Sequence, residues 1–293
     1  MATEFSVVIA TRNRRALLGR AIRSALAQDA EIIVVDDGST DGTAEYVRET
    51  FPTVRLFQVA HGGPGPARNA GLAQAEGRWA IVLDDDDELR PDALRTIAGR
   101  LAELDRRDHF PAFLFRHGNG RMPTAFQILG PEQLSNGGLG GDFLPVWNRE
   151  VARAAACRYP EVRIGAEGLM WLEIADRFGV PTWADCVGIV HDDAGDRLTG
   201  TRAQLRNAAE HARVQDRYVE FLRARAPTPS VQRLTARRLL AAGFYYLLAG
   251  ERRTALARAR TLLKHDAIRG AALLLACGVP RRLLAGMLRM YRA

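Results

Sequence analysis

Trp79-Ala80-Ile81-Val82-Leu83-Asp84-Asp85-Asp86-Asp87-Glu88 is an apolar run that stops abruptly at five carboxylates. An unbroken apolar stretch of this length reads as a strand buried on both faces, as strands of parallel sheets are. Phe5–Ala10, Glu31–Val35 and Val54–Val59 have the same character. Between them, Arg15–Ala27, Thr43–Thr50 and Pro64–Glu76 space their apolar residues as helices do, and Pro91–Leu104 follows with a proline near its first turn. This alternation predicts an α/β fold, a parallel sheet with helices on both faces. Ligands of such sheets lie beyond the carboxyl ends of the strands. That directs attention to Thr11–Arg14, Asp36–Asp41, His61–Gly65 and Asp84–Glu88.

The rest of the chain bounds this reading. With 293 residues, 47% apolar and 26% charged, it is long enough for about two domains and ordinary for a globular protein. The three cysteines, Cys157, Cys186 and Cys277, form no CxxC pair, which argues against a thiolate metal site or a disulfide framework and for a reducing, cytoplasmic setting. The first residues lack the pattern of a signal peptide. Leu239–Ala249 and Gly270–Val279 fall short of the ~18 apolar residues a membrane span needs. The net charge of +7 is uneven: residues 202–293 hold 19 Lys and Arg against 5 Asp and Glu, and residues 1–201 hold 22 against 29. We therefore expect a domain over 1–201 and a basic helical extension over 202–293, broken near Pro227-Thr228-Pro229 and Gly278-Val279-Pro280. Ala112–Phe115 and Ala125–Leu129 read as strands, residues 161–179 as helical, and Gly137–Gly141 as either a lid or a plain loop.

Four adjacent aspartates repel one another unless a cation or solvent relieves them. Taken as an extended stretch, they would turn Asp84 and Asp86 toward one ligand and Asp85 and Asp87 away. Carboxylates suit Mg²⁺ or Mn²⁺, whose other positions substrate phosphates often fill; the bland alternative is a solvated acidic turn. Asp36-Asp37-Gly38-Ser39-Thr40-Asp41 offers a tight turn, helix caps and carboxylates able to accept from a base or ribose. A dinucleotide-binding fold does not fit. The first turn, Ala10–Arg14, has no glycine, and His61-Gly62-Gly63-Pro64-Gly65-Pro66-Ala67-Arg68 places Arg68 where the last glycine of G-x-G-x-x-G belongs.

Together, Val7–Arg14, Val34–Thr43, Gly65–Leu72 and Leu83–Asp87 resemble, in order and spacing, the motifs of family 2 glycosyltransferases of the GT-A fold, closely over about residues 4–90 and more loosely to about 200. The resemblance implies a Rossmann-like, mostly parallel sheet and, in bacterial members, a carboxyl-terminal helical region. It implies inverting transfer from a nucleotide-diphosphate sugar, with uridine diphosphate the expected carrier, using Mg²⁺ or Mn²⁺. By the same resemblance Ala10, Thr11, Arg12, Asp37, Arg68 and Asp84 bind the nucleotide, with Arg12 where an aromatic is common, and Asp84 and Asp86 match the Asp-x-Asp motif that holds ribose and metal–diphosphate.

The family's base lies in a Glu-Asp pair at a helix start, which is broken here in Arg163-Ile164-Gly165-Ala166-Glu167-Gly168. The base role passes to Glu167, with Glu173 and Glu161 as fallbacks; Glu167 also reads simply as a carboxylate favoured at a helix start. His191, ending another apolar run, is a candidate metal ligand or a structural histidine, and Arg197 a candidate phosphate contact. The basic tail suits either docking on an anionic membrane face or packing on the first domain or a second copy. Nothing in it resembles a nucleic-acid recognition module. Expected partners are the sugar donor and a glycan, lipid-linked or small-molecule acceptor, in glycan or natural-product biosynthesis. Two other activities stay open: sugar-nucleotide binding without transfer, and nucleotidyl transfer.

Overall fold

The computed structural model describes residues 4–119, 123–135, 143–193 and 201–292. The expected alternation holds at the start: β1 (Phe5–Thr11), α1 (Arg15–Leu26), β2 (Glu31–Asp36), α2 (Thr43–Thr50), β3 (Arg55–Gln58), α3 (Pro64–Gln74) and β4 (Trp79–Asp84). After it come β5 (Glu88–Leu89), α4 (Ala93–Glu103), β6 (Ala112–His117), β7 (Gln127–Leu129), α5 (Pro131–Ser135), β8 (Phe143–Asn148), α6 (Arg149–Ala154), α7 (Glu167–Phe178) and β9 (Val180–Ile189). The remainder is helical: α8 (Thr201–Arg206), α9 (Ala208–Arg223), α10 (Pro229–Ala249), α11 (Arg252–Leu263), α12 (Ala267–Ala276) and α13 (Arg281–Arg292). Contacts divide the chain into two compact units, Met1–Val162 with Met170–Ala194, and Arg163–Leu169 with Gly195–Ala293.

The first unit holds one sheet in the order β3-β2-β1-β4-β8-β6-β9-β5, with β7 paired to β9. β3, β2, β1 and β4 are parallel. β8 then enters antiparallel to both β4 and β6, a strand the sequence reading lacks. Proline inside a strand removes a ladder donor, and Pro145 sits within β8. The β4 ladder stops at Val146, so Pro145 lies just past its end.

Successive residues of β1 serve opposite faces. Val7 and Ile9 join Leu18, Ile22, Leu83 and Ile97 in one core, while Val8 joins Ile33, Val82, Trp147 and Trp171 in the other. Both faces being covered explains why these strands are apolar throughout. Gly71 lets α3 approach closely, since a Cβ there would lie 2.3 Å from Val8 Cγ1. From β1 the chain order runs outward to β2 on one side and to β4 on the other, so a crevice opens at their carboxyl ends. Thr11 and Asp84, the last residues of β1 and β4, stand at that crevice.

The second unit buries Ala212, Leu239, Ala242, Leu247, Ala255, Leu262 and Leu273 in its own core. Its helix ends follow local chemistry: Thr228 caps α10 by accepting from Val231 N at 3.2 Å, and Gly250 ends it at φ 89°. Among the described residues, no helix is long and apolar enough to cross a membrane.

Candidate active site

The tips of β1 and β2 are tied into one rim. Asn13, at φ 53°, accepts from Thr40 N at 2.8 Å while its own N–H donates to Ser39 Oγ at 2.9 Å. Asp36 accepts from Ser39 N at 2.8 Å. The buried carboxylate of Asp37 meets His61 Nδ1 at 2.8 Å and accepts from Gly62 N at 2.7 Å and Gly63 N at 3.0 Å. Asp37 thus holds the 61–63 loop, using three of the roughly four lone-pair sites a carboxylate offers. Ala10 is half-buried beside Asp84 in the β1–β4 register, and Arg12 is exposed at the rim.

The acidic segment is a turn, with Asp87 N donating to Asp84 O at 3.2 Å. A turn folds its first and fourth residues together, whereas the expected alternation assumes an extended chain. The structure accordingly departs from that expectation at Asp87: one carboxylate oxygen from each of Asp84, Asp86 and Asp87 lies within 4.8 Å of the others. Asp85 turns inward. It accepts from Thr11 Oγ1 at 2.6 Å and Arg14 Nη1 at 3.0 Å, and burial pushes its carboxyl up to about 6 despite the neighbouring Arg14 charge.

Cations surround the turn. Arg14 Nη1 also reaches Asp86 Oδ2 at 3.0 Å. Arg20 donates to the Asp86 carbonyl through Nε at 2.9 Å and grips Asp193, whose carboxyl this hydrogen bonding holds down at about 2. Arg68 Nη2 donates to Asp84 Oδ1 at 2.6 Å. Although half of the Asp84 side chain meets solvent, the protein crowded around its carboxylate raises its pKa; the charge and hydrogen bond of Arg68 outweigh this and hold it below the usual range. Asp87 is buried, accepting from His191 N at 3.1 Å and lying 3.6 Å from His117 Nε2. His191 reaches the cluster through its backbone. Its imidazole Nε2 lies 2.7 Å from Glu88 Oε1, and it is not in the carboxylate group placed for a cation.

Arg68 has a support that sequence reasoning missed. Its guanidinium lies 5.3 Å from the centre of the Tyr159 ring. Tyr159 is clamped by Asn69, which donates to its carbonyl and accepts from its N–H, both at 2.9 Å, and by Trp147 Nε1 at 3.2 Å from its hydroxyl. Gly65 admits this segment, since a Cβ there would lie 2.1 Å from Pro160 O. Nothing in the local sequence marks Tyr159, because its role depends on a contact 90 residues away.

Glu167 opens α7 and is half-buried, and it groups with the helical second unit. Within that unit Arg163 N donates to Glu210 Oε1 at 3.3 Å, and a Cβ on Gly168 would lie 2.2 Å from Tyr218 Oη. Glu173 is exposed on α7, and Glu161 is exposed and paired with Arg158 at 3.3 Å. Arg197 and the Gly137–Gly141 loop lie outside the described residues.

Comparison with known proteins agrees with this geometry. The family described as Glycosyl transferase family 2 matches residues 6–121. A relative from Campylobacter jejuni, a GalNAc(5)-diNAcBac-PP-undecaprenol beta-1,3-glucosyltransferase, is 30% identical over 187 residues, 58% of this chain and 59% of its own length. The chain spans between 24% and 59% of the length of the first curated relatives it matches. Among solved structures, Staphylococcus aureus TarS with UDP-GlcNAc is similar at TM-score 0.59 and 18% identity, covering 92% of this chain and 90% of that one. A Pyrobaculum calidifontis mannosyltransferase in complex with GDP-Man and Mn²⁺ is similar at TM-score 0.54 and 21% identity, over 99% and 85%. Residues 6–121 thus match glycosyl transferase family 2, and the fold is the GT-A fold of these glycosyltransferases.

Proposed function

We propose that the chain transfers a sugar from a nucleotide-diphosphate sugar, with uridine diphosphate as carrier, to an acceptor hydroxyl, inverting the anomeric carbon. The observation that carries this is the convergence of Asp84, Asp86 and Asp87 at the crevice of a family 2 domain. Three clustered carboxylate oxygens are the donor set of a hard divalent ion, Mg²⁺ or Mn²⁺. When bound, such an ion offsets the charge that grows on the leaving diphosphate.

The chain's own residues do the rest. Asp84, Asp86 and Asp87 would hold the ion, and His191 would support Asp87 through its backbone N–H, 3.1 Å from Oδ1. Ala10, Thr11 and Arg12 line the nucleotide, and Asp37 fixes the 61–63 wall beside the base. Arg68 exchanges its Asp84 contact for the diphosphate. Glu167 takes the acceptor proton as the acceptor oxygen bonds to the anomeric carbon and the bond to the nucleotide diphosphate breaks. A lipid-linked glycan, the kind of acceptor named for the C. jejuni relative, heads the acceptors to test. The reaction would run at the cytoplasmic face of a membrane.

A panel of uridine and guanosine diphosphate sugars, with Mn²⁺ or with chelator, tests the reading. The donor should raise the unfolding temperature only with the ion. Asp86→Ala should lose that shift. Glu167→Gln should keep it and lose about 10²–10⁴-fold in transfer. Donor binding with no turnover on any acceptor would make this a binding protein. Pyrophosphate release from a nucleoside triphosphate would make it a nucleotidyltransferase.

A further inference from the structure

Helix α12 has two unlike faces. Gly270 and Leu273 are buried, with Gly270 so near α11 that a Cβ would lie 2.6 Å from Leu263 N, and Leu273 Cδ2 only 2.3 Å from where a Cβ on Gly243 would stand. On the other face Ile268, Ala271, Ala272 and Leu275 recur at i, i+3, i+4 and i+7, and all are exposed. Ile268 is 85% exposed, Leu275 78%, and Leu283 on α13 61%, the three most exposed large apolar side chains among the described residues. Side chains of this size are rarely left in water over two helical turns without a partner.

The surrounding charge selects that partner. Residues 252–293 carry ten Lys and Arg and one acidic residue, Asp266. Asp266 is already committed, accepting from Arg269 N at 2.9 Å and pairing with the Arg269 guanidinium. Lys264, Arg281 and Arg282 are exposed. A second copy docking through the same face would bring two cationic surfaces together. An anionic bilayer offers the opposite sign at its surface and an apolar layer just beneath.

We infer that this face docks on anionic phospholipid, with Ile268, Leu275 and Leu283 entering the acyl boundary and Lys264, Arg281 and Arg282 meeting the phosphates. The contact lies on the membrane and does not cross it. It rests on the helical unit alone and does not depend on the proposed sugar transfer.

Flotation of the full chain with vesicles tests it. Binding is expected to phosphatidylcholine vesicles containing phosphatidylglycerol, to fall with salt, and to be absent with phosphatidylcholine alone. Ile268→Ser and Leu275→Ser should each lower the partition coefficient about ten-fold. Arg281→Gln and Arg282→Gln should each lower it about five-fold. All four sites are exposed, so circular dichroism and thermal unfolding should not change, and Leu283→Ser provides an independent variant. Failure to float with phosphatidylglycerol would overturn the inference, as would flotation indifferent to the apolar substitutions. A dimer in analytical ultracentrifugation that Leu275→Ser dissociates would instead assign the face to a second copy.

Discussion

Asp37→Asn separates two roles for this buried carboxylate, anchor of the 61–63 loop and proposed nucleotide contact. In the structure its carboxylate is 3% exposed by residue and engages three groups of one loop, His61 Nδ1 and the N–H groups of Gly62 and Gly63. Asparagine keeps one oxygen and turns the other into an NH₂ donor. With the oxygen toward His61 and Gly63, the new NH₂ faces the N–H of Gly62; the opposite flip loses two partners. The milder outcome forfeits one charge-assisted bond, about 1.5–3 kcal/mol, and leaves a buried donor without an acceptor, about 1–3 kcal/mol. We therefore expect a loss of about 3 kcal/mol, a large share of an ordinary domain's stability. At roughly 2–4 °C per kcal/mol for a domain of this size, the unfolding temperature should fall by about 6–12 °C. Urea unfolding followed by tryptophan fluorescence reads the stability, and calorimetric titration with uridine diphosphate and Mn²⁺ reads the pocket. The variant should unfold earlier and bind nucleotide more weakly, because the loop it anchors loosens. An unchanged urea midpoint combined with lost nucleotide binding would refute the loop-anchoring argument and put the carboxylate directly on the base.

Asp85 makes the pH dependence specific. Its folded pKa of about 6 stands above the ordinary aspartate value of 3.8, so between these values the native state holds more protons than the unfolded state, and stability falls as pH rises. The shift corresponds to about 3 kcal/mol. Asp85→Asn should therefore gain up to about 3 kcal/mol on wild type between pH 4 and pH 7 in urea titrations, and a difference that stays flat with pH would contradict it. Gly71→Ala should cost about 1–3 kcal/mol, because Val8 and Val35 cannot yield to the new methyl. Gly99→Ala, at an exposed position of α4 with nothing within 4 Å of the added carbon, should instead stabilise by about 0.5–1 kcal/mol; thermal melts of the pair check both. Gly168→Ala should displace the start of α7 and lower transfer without changing nucleotide affinity, and Tyr218→Phe in the same chain should restore it by removing the clashing hydroxyl.

Covalent order alone fixed a good deal of this protein. Strand and helix periodicity is local, so the apolar runs of β1, β2 and β4 and the spacing of α1 and α4 announced a parallel α/β sheet with an acidic carboxyl edge. Pro227–Pro229 and Gly278–Pro280 likewise marked the breaks between helices, since proline and glycine act on the backbone wherever they stand. Thr11 and Asp84 could be placed at that edge from the sequence because they end β1 and β4. Tertiary structure decided which carboxylates converge and what each one touches. Asp87 joins Asp84 and Asp86 because the segment turns, a property of how β4 hands over to β5 and β9. Arg14 meets Asp85 across 71 residues, Asn69 clamps Tyr159 across 90, and Arg20 grips Asp193 across 173. Such pairs have no local signal: each side chain alone is an ordinary polar residue, and only the fold brings its partner within hydrogen-bond reach.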